Sequence, residues 1–361
     1  RSGAPGGGAA VQLTNADGET TSHIQGMFNR TIRMMSEGIR PVFVFDGKPP
    51  SLKSGELVKR REKRDKAEAS LKTAQEEGNV EEENKQMKRL VRAGQKENDD
   101  CKKLLRLMGV PVLVAPCEAE AQAAALARAG AVYATGTEDM DALTFQTPVL
   151  IRKLTFASAS KAMLQSINYQ KALEGLGLDH AAFVDLCILL GCDYCDSIKG
   201  VGPKTALKLM KQYGSIEQIL EHIDESKYKV PDNWYPPSYK KRKTEYNTDD
   251  EKESEEEEND EEPVYVQARR LFNEHEVTQD VSLKWNPCQK EELTKFLVDD
   301  MGFSAERVAS SIEKLQKAYT ATSKPQSRMD SFFQVKPKPA GPVKKKAAPE
   351  MKKKAPAKRK R

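Results

Sequence analysis

The chain has 361 residues, 31% of them charged and 6% aromatic, with a net charge of +5. That length supports a substantial core in one large domain or two, while so few aromatics argue against a base-stacking platform as the main binding mode. The six cysteines show no disulfide framework and no run has membrane length, so reduced intracellular thiols are expected, with no signal peptide and no membrane partner.

The chain opens on Arg1 and a Gly/Ala-rich stretch, RSGAPGGGAA, which is expected to lie inside a longer protein. His23–Glu37 carries apolar residues at helical spacing, with Arg30 and Arg33 among them. Pro41–Phe45 reads as a strand ending in Asp46, and Gly47 and Pro49-Pro50 stop it. A lone acid there is ordinarily a turn residue. From Lys53 to Lys103 the chain is charged and poor in apolar residues, with two helices expected, Ser54–Gln75 and Val80–Leu105, joined around Gly78. The first carries Lys59, Arg60, Arg61, Lys63, Arg64 and Lys66. A helix polar on most faces does not pack in a core. It is either an exposed hairpin or an arm that attracts phosphates, with affinity that falls as salt rises.

The most informative stretch is Val110–Leu143, VPVLVAPCEAEAQAAALARAGAVYATGTEDMDAL. Two apolar runs, Val110–Ala115 and Ala131–Thr135, read as strands, and Ala119–Ala129 between them has high helix propensity. Strand–helix–strand favours a parallel pair with a right-handed crossover, and such sheets bind ligands at the carboxyl ends of their strands. Glu118 and Glu120 follow the first strand, Asp139 and Asp141 the second. In mid-helix Glu118 and Glu120 would point to nearly opposite faces. They share a site only if the helix begins there, as Pro116 suggests. Acids near a helix start can simply complement the macrodipole. With Asp46 and the second acidic pair at matching edges, a hard divalent cation, Mg²⁺ or Mn²⁺, is the better reading.

Further on, Val149–Leu154 reads as a strand, Gln170–Gly175 as part of a helix, and Ala181–Leu190 as a buried helix running into GCDYCDSIKGVGPK. Asp193 there is a sixth acid. Gly200 and Gly202, flanked by Lys199 and Lys204, precede a new helix, an arrangement suited to gripping a phosphate backbone. Cys192 and Cys195 form a C-x-x-C with no second pair at zinc spacing, so zinc is not expected. Residues 245–262 carry twelve acids against Lys252, a net −11, too polar to fold alone. Tyr265–Phe272 and Lys290–Lys317 return to amphipathic helices. Near the end, Gln326, Met329, Phe332 and Phe333 lie in a Ser/Lys/Pro-rich segment, where paired Phe residues suit an anchor for a partner's pocket. Residues 336–361 carry twelve Lys/Arg against Glu350, a net +11, and read as a nuclear-localisation or nucleic-acid segment.

Taken together, VFVFDGKPP, KSGELVKR, APCEAEAQ, TEDMDALTF, LCILLGCDYCDSIKGVGPK and QSRMDSFF resemble the XPG-type structure-specific 5′ nucleases, in their flap-endonuclease branch, from about Leu13 to Val335. The resemblance implies an α/β fold: a PIN-like nuclease domain with a mainly parallel central sheet flanked by helices, a helical arch, a helix–two-turn–helix element and a disordered basic tail. Residues 1–47 would be a partial N-terminal nuclease region, 48–104 the arch and 105–230 the internal region. An acidic insert over 231–263, core helices over 264–320 and a tail over 321–361 would follow. It implies two Mg²⁺ ions, replaceable by Mn²⁺, on Asp46, Glu118, Glu120, Asp139, Asp141 and Asp193. Lys53 and Arg60 would act on the scissile phosphate beside the catalytic acids Asp46 and Asp141. DNA would be met at Arg30, Glu118, Gly191 and Asp193, and a K⁺ ion at the loop Ser197–Gly202. Gln326, Met329, Phe332 and Phe333 would bind a sliding clamp, proliferating cell nuclear antigen, with the protein a monomer and up to three copies per clamp trimer.

By this likeness the chain is a 5′-flap endonuclease with 5′-3′ exonuclease activity, acting in Okazaki-fragment maturation and long-patch base-excision repair. Its compartment would be the nucleus, in nucleoplasm and nucleolus, with the mitochondrion as a second location. Three departures are expected to matter unequally. The family's first strand and seventh carboxylate would lie upstream of Arg1, the acidic insert is longer than usual, and Cys117 stands where Ser is frequent. The first leaves a rival reading, a clamp-tethered flap-binding module without catalysis. A metal phosphatase is a weaker rival, since it gives the basic arm no purpose.

Overall fold

The computed structural model describes residues 20–90, 93–154, 163–236 and 262–322. Helix α1 (Ser22–Ser36) buries Ile24, Phe28, Ile32 and Met35, the stripe that helical spacing demands. That stripe meets α4 (Gln95–Leu107) and the last described helix, α13 (Ala305–Thr322), in a core with Leu104, Met108, Phe296, Ile312 and Leu315. The Trp285 indole N–H donates to the Pro41 carbonyl at 2.9 Å and Arg40 lies 4.8 Å over the same ring, which ties the entry to β1 (Phe43–Phe45) to this core.

The strands are shorter than their apolar runs. Strand β1 pairs in parallel with β2 (Val112–Val114), starting at Phe43↔Val112. Pro41 and Pro111 flank that start and have no N–H to extend it. The expected strand Ala131–Thr135 is reduced to β3 (Thr135–Gly136). The N–H groups of Ala131 and Val132 donate to the Leu126 carbonyl at 3.0 and 3.4 Å, so they still close the end of α5 (Ala119–Arg128). Strand β3 pairs in parallel with β4 (Val149–Arg152), and β4 pairs antiparallel with β5 (Gln165–Asn168), a strand not anticipated. Among the described residues the strands thus form two sheets rather than one central sheet. A cavity of about 940 Å³ separates them, with Phe43 and Val44 on one wall and Thr135 and Gly136 on the other.

Helices α2 (Ser54–Glu76) and α3 (Val80–Leu90) form the charged hairpin, turning at Gly78. The expected second helix, Val80–Leu105, divides into α3 and α4. Gly94 is extended, and its N–H donates to the Glu97 carboxylate at 2.7 Å, which caps α4 separately. The short α6 (Asp141–Thr144) lies between β3 and β4, and α7 (Tyr169–Leu176) and α8 (His180–Leu190) follow the second sheet. Helix α8 is apolar on nearly all sides and is the axis of a second core with Phe145, Trp234, Tyr265 and Phe272. Around it stand α9 (Pro203–Tyr213), α10 (Ile216–His222) and α11 (Val264–Asn273). Asp185 of α8, buried, accepts from Arg269 of α11 at 2.7 and 2.9 Å, and Arg269 also donates to Glu217 of α10. The expected helical stretch Lys290–Lys317 comprises α12 (Lys290–Lys295), a π turn at Phe296–Asp300, and α13, which is set off from the π turn by Gly302 in a left-handed conformation (φ 70°).

Candidate active site

Asp46 directly follows β1, and its Oδ1 accepts the Ala119 N–H at 2.9 Å. One hydrogen bond therefore joins a strand's carboxyl end to the start of α5. The turn after Asp46 runs tight against the 115–117 backbone: Gly47 N–H donates to the Cys117 carbonyl at 2.8 Å, and a Cβ at Gly47 would sit 2.0 Å from the Ala115 oxygen. Only glycine allows that approach. Glu118 is the extended N-cap of α5, and Glu120 lies in its first turn. The helix starting at this point removes the opposed orientation that a mid-helix pair would have. Asp46, Glu118 and Glu120 each offer an oxygen within 4.8 Å of the others.

The second acidic pair is set by a tight turn after β3. The Asp139 N–H donates to Thr137 Oγ1 at 3.1 Å, and the Asp141 N–H donates to Asp139 Oδ1 at 3.0 Å. Thr137 Oγ1 in turn donates to Glu120 at 3.4 Å, which links this turn to the α5 start. Burial pushes the Asp141 carboxyl up to about 7, and the charges of Asp139, Asp193 and Glu120 add to it. Glu120 is raised as well, by burial first and then by Asp46, Asp139 and Glu118. Carboxylates that raise one another this way share one electrostatic site.

The cations come from the hairpin. Lys53, at the entrance to α2, donates to both oxygens of Glu118 at 2.9 and 2.8 Å and lies 3.3 Å from Asp193. Arg60 donates to both oxygens of Asp193 at 2.8 and 2.9 Å and to Glu56 at 3.0 Å. Burial alone would lower the Lys53 pKa, but Glu118, with Asp193, raises it. Arg60 behaves alike, with Glu56 and Asp193 outweighing burial. Lys59, the residue before Arg60, pairs with Asp196. Lys53 and Arg60 thus contact Glu118 and Asp193, while Asp46, Glu118 and Glu120 form a cluster of oxygen donors of the kind that suits hard divalent ions.

Other expected site residues stand apart. Arg30 is exposed on α1, and no contact among the described residues links it to the carboxylates. Gly191 ends α8 with φ +100°, two residues before Asp193. In the loop Ser197–Gly202, Lys199 exchanges backbone hydrogen bonds with Lys229 at 3.0 and 3.1 Å, and Gly202 caps α9. Gln326, Met329, Phe332 and Phe333 lie outside the described residues, as do residues 237–261 of the acidic insert and the basic tail. Sequence reasoning missed Thr137, Glu56 and the Lys59–Asp196 pair. Only Glu56 left a signal, its i,i+4 spacing from Arg60.

An α/β scaffold with oxygen ligands gathered at strand ends, and cations of a helical hairpin laid over them, defines a metal-dependent phosphodiester hydrolase. Residues 9–67 match the XPG N-terminal domain and residues 109–193 the XPG I-region. The chain is 65% identical over 349 residues to flap endonuclease 1 of Phaeodactylum tricornutum, covering 94% of this chain and 82% of that protein. It is 50% identical to flap endonuclease 1 of Phytophthora infestans, over 95% of this chain and 83% of the relative. Its fold is similar to that of flap endonuclease-1 from Methanococcus jannaschii, with a TM-score of 0.60 and 31% identity over 86% of this chain and 85% of that one. The chain belongs to the flap endonuclease 1 family, the structure-specific 5′-flap nucleases of DNA replication and repair. The reading as a non-catalytic flap-binding module is not favoured by these relatives.

Proposed function

We propose that the chain hydrolyses one phosphodiester at the base of a 5′ flap with two Mg²⁺ ions, Mn²⁺ substituting. The observation that carries this reading is the convergence of Lys53 and Arg60 on Glu118 and Asp193. Asp46, Glu118 and Glu120 would hold one ion, with Asp139, Asp141 and Asp193 completing the pair of sites. Divalent ions bound there supply charge neutralisation at the phosphate and a more acidic water. Lys53 and Arg60 would leave their carboxylates for the scissile phosphate and offset its charge as the bond breaks. Glu56, which accepts from Arg60 at 3.0 Å, would orient it on α2. The products would be a 5′-phosphate and a 3′-hydroxyl, and a free 5′ end would also be trimmed exonucleolytically.

DNA would reach the site by its backbone. Arg30, Gly191 and the neighbourhood of Glu118 and Asp193 would meet the strand to be cut. The loop Ser197–Gly202, with a K⁺ ion, would grip the downstream duplex through glycine N–H groups. The single-stranded flap would pass under the α2–α3 hairpin, which selects structure rather than sequence. A catalytic core of Rad2 with a similar fold has been solved with its DNA substrate, which supports a DNA-binding role for this one. Gln326, Met329, Phe332 and Phe333 would tether the monomer to a sliding clamp, up to three per trimer, and the basic tail would direct it to the nucleus. The test is cleavage of a labelled 5′-flap duplex with and without Mg²⁺, and with a bulky block on the flap's 5′ end. Metal-dependent cleavage that the block abolishes is the expected result. Equal cleavage of the blocked flap would contradict threading.

A further inference from the structure

The C-x-x-C pair takes no part in this chemistry, yet it brackets Asp193. Cys192 and Cys195 face each other across an isolated antiparallel bridge, with their sulfurs 3.7 Å apart. Directly opposed residues on antiparallel backbones hold their Cα atoms about 4.5–5.5 Å apart, inside the range a disulfide spans. Both residues pack against the core around α8 and are only partly buried. No other cysteine sulfurs are in contact among the described residues. Two sulfurs without further Cys or His donors do not make a zinc site.

The turn they close is where the hairpin docks. Asp193, between the two cysteines, accepts from Arg60 at 2.8 and 2.9 Å and lies 3.3 Å from Lys53. Asp196, the residue after Cys195, holds Lys59. A bond made inside this turn therefore acts on all three contacts at once.

We propose that Cys192 and Cys195 are a reversible disulfide site whose closure unseats Asp193 and weakens divalent-metal binding by the acidic cluster. The oxidant is a low-molecular-weight disulfide of the glutathione type. One cysteine thiolate attacks it and one glutathione leaves as a thiol. The second cysteine then displaces the other glutathione. The two cysteines lose two protons and two electrons, and the oxidised glutathione is reduced to two thiols. The sulfurs must close from 3.7 Å to roughly 2.05 Å with a dihedral near 90°. That tightens the four-residue turn, and the Asp193 carboxylate loses its two-oxygen fit to Arg60. The metal half of the proposal rests on Asp193 being a metal ligand; the disulfide half rests on the geometry alone.

The test treats the full chain with oxidised glutathione, maps cross-linked and alkylatable cysteines by mass spectrometry, and measures Mn²⁺ affinity by electron paramagnetic resonance. Reduced, oxidised and re-reduced protein are compared with Cys192→Ser and Cys195→Ser. The expected result is a Cys192–Cys195 cross-link and Mn²⁺ affinity about five- to tenfold weaker, restored by dithiothreitol and absent in both serine variants. Free thiols at both positions after oxidation would overturn the proposal. So would a cross-link that leaves Mn²⁺ affinity unchanged, or serine variants that weaken like the wild type. Reduced protein that binds no Mn²⁺ would overturn the metal role of Asp193 and the control assigned to it, an outcome told apart by the same cysteine map.

Discussion

The Lys53 ammonium donates to both oxygens of Glu118, at 2.9 and 2.8 Å. A cation suited to a phosphate thus occupies a carboxylate suited to a metal, with the lysine side chain 16% and the glutamate 12% exposed. Arg60 does the same to Asp193. On the proposed reading, metal and hairpin cations would compete for the same oxygens, and a divalent ion that took them would free both cations for substrate.

Removing the competitor should help the metal and harm the reaction. Lys53→Ala is expected to tighten Mn²⁺ binding to the DNA-free protein about three- to tenfold, roughly 1 kcal/mol. Flap cleavage at saturating metal should fall by about 100-fold or more, the usual loss when a transition-state charge partner is deleted. Mn²⁺ titration followed by single-turnover kinetics on the same preparation checks both. Weaker metal binding would show that Lys53 supports the site rather than competing for it.

The metal-free protein should respond to pH against the usual carboxylate trend. The Asp141 carboxyl is pushed up to about 7 from 3.8, and Glu120 is raised too. A raised carboxyl stabilises the fold fully below its unfolded value, and that contribution is lost as pH rises through the folded value. In EDTA, melting temperature should therefore fall between about pH 4 and 7 from this source. Divalent ions should remove the slope. Asp141→Asn should raise metal-free stability at pH 8 by roughly 1–3 kcal/mol. A metal-free melt that rises over that window in the wild type and is unchanged in the variant would contradict the account.

Arg269 is the joint of the second core. It donates to Asp185, which is 4% exposed, and to Glu217. Arg269→Ala would strand a buried carboxylate and is expected to cost about 3–5 kcal/mol. Because that carboxylate becomes protonated at lower pH, the loss should shrink from pH 8 to pH 5. Urea melts at the two pH values measure it, and equal losses would mean that packing rather than charge holds α8 to α11.

The proposed clamp segment should act independently of cleavage. Phe332→Ala with Phe333→Ala is expected to abolish clamp capture while leaving clamp-free cleavage within about twofold, because anchor residues carry most of such an interface. A pull-down on immobilised sliding clamp, with a parallel cleavage assay, decides this. Retained capture would move the anchor elsewhere.

Much of the site was legible because its logic is local. Asp46, Glu118, Glu120, Asp139 and Asp141 each follow an apolar run or a helix start, and strand–helix–strand chemistry brings such positions to one edge. The α1 stripe and the wholly apolar α8 were equally readable from spacing. The strand ends were not, because they depend on which N–H groups are already used. Ala131 and Val132 look like strand residues but close α5, and Pro111 accepts from the Phe43 N–H but has no N–H of its own to extend the ladder. Among the described residues the strands form two sheets with a cavity between β1 and β3, a long-range arrangement that no window of sequence reports. Thr137 escaped notice because a threonine that orders a carboxylate turn looks like any other.

The most direct test compares wild type with Asp141→Ala on a labelled 5′-flap duplex, measuring binding and Mg²⁺-dependent cleavage side by side. The predicted result is cleavage reduced by about 1,000-fold or more with binding within a few-fold, since phosphate contacts elsewhere carry the affinity. An Asp141→Ala protein that still cleaves the flap at a substantial Mg²⁺-dependent rate would contradict the account.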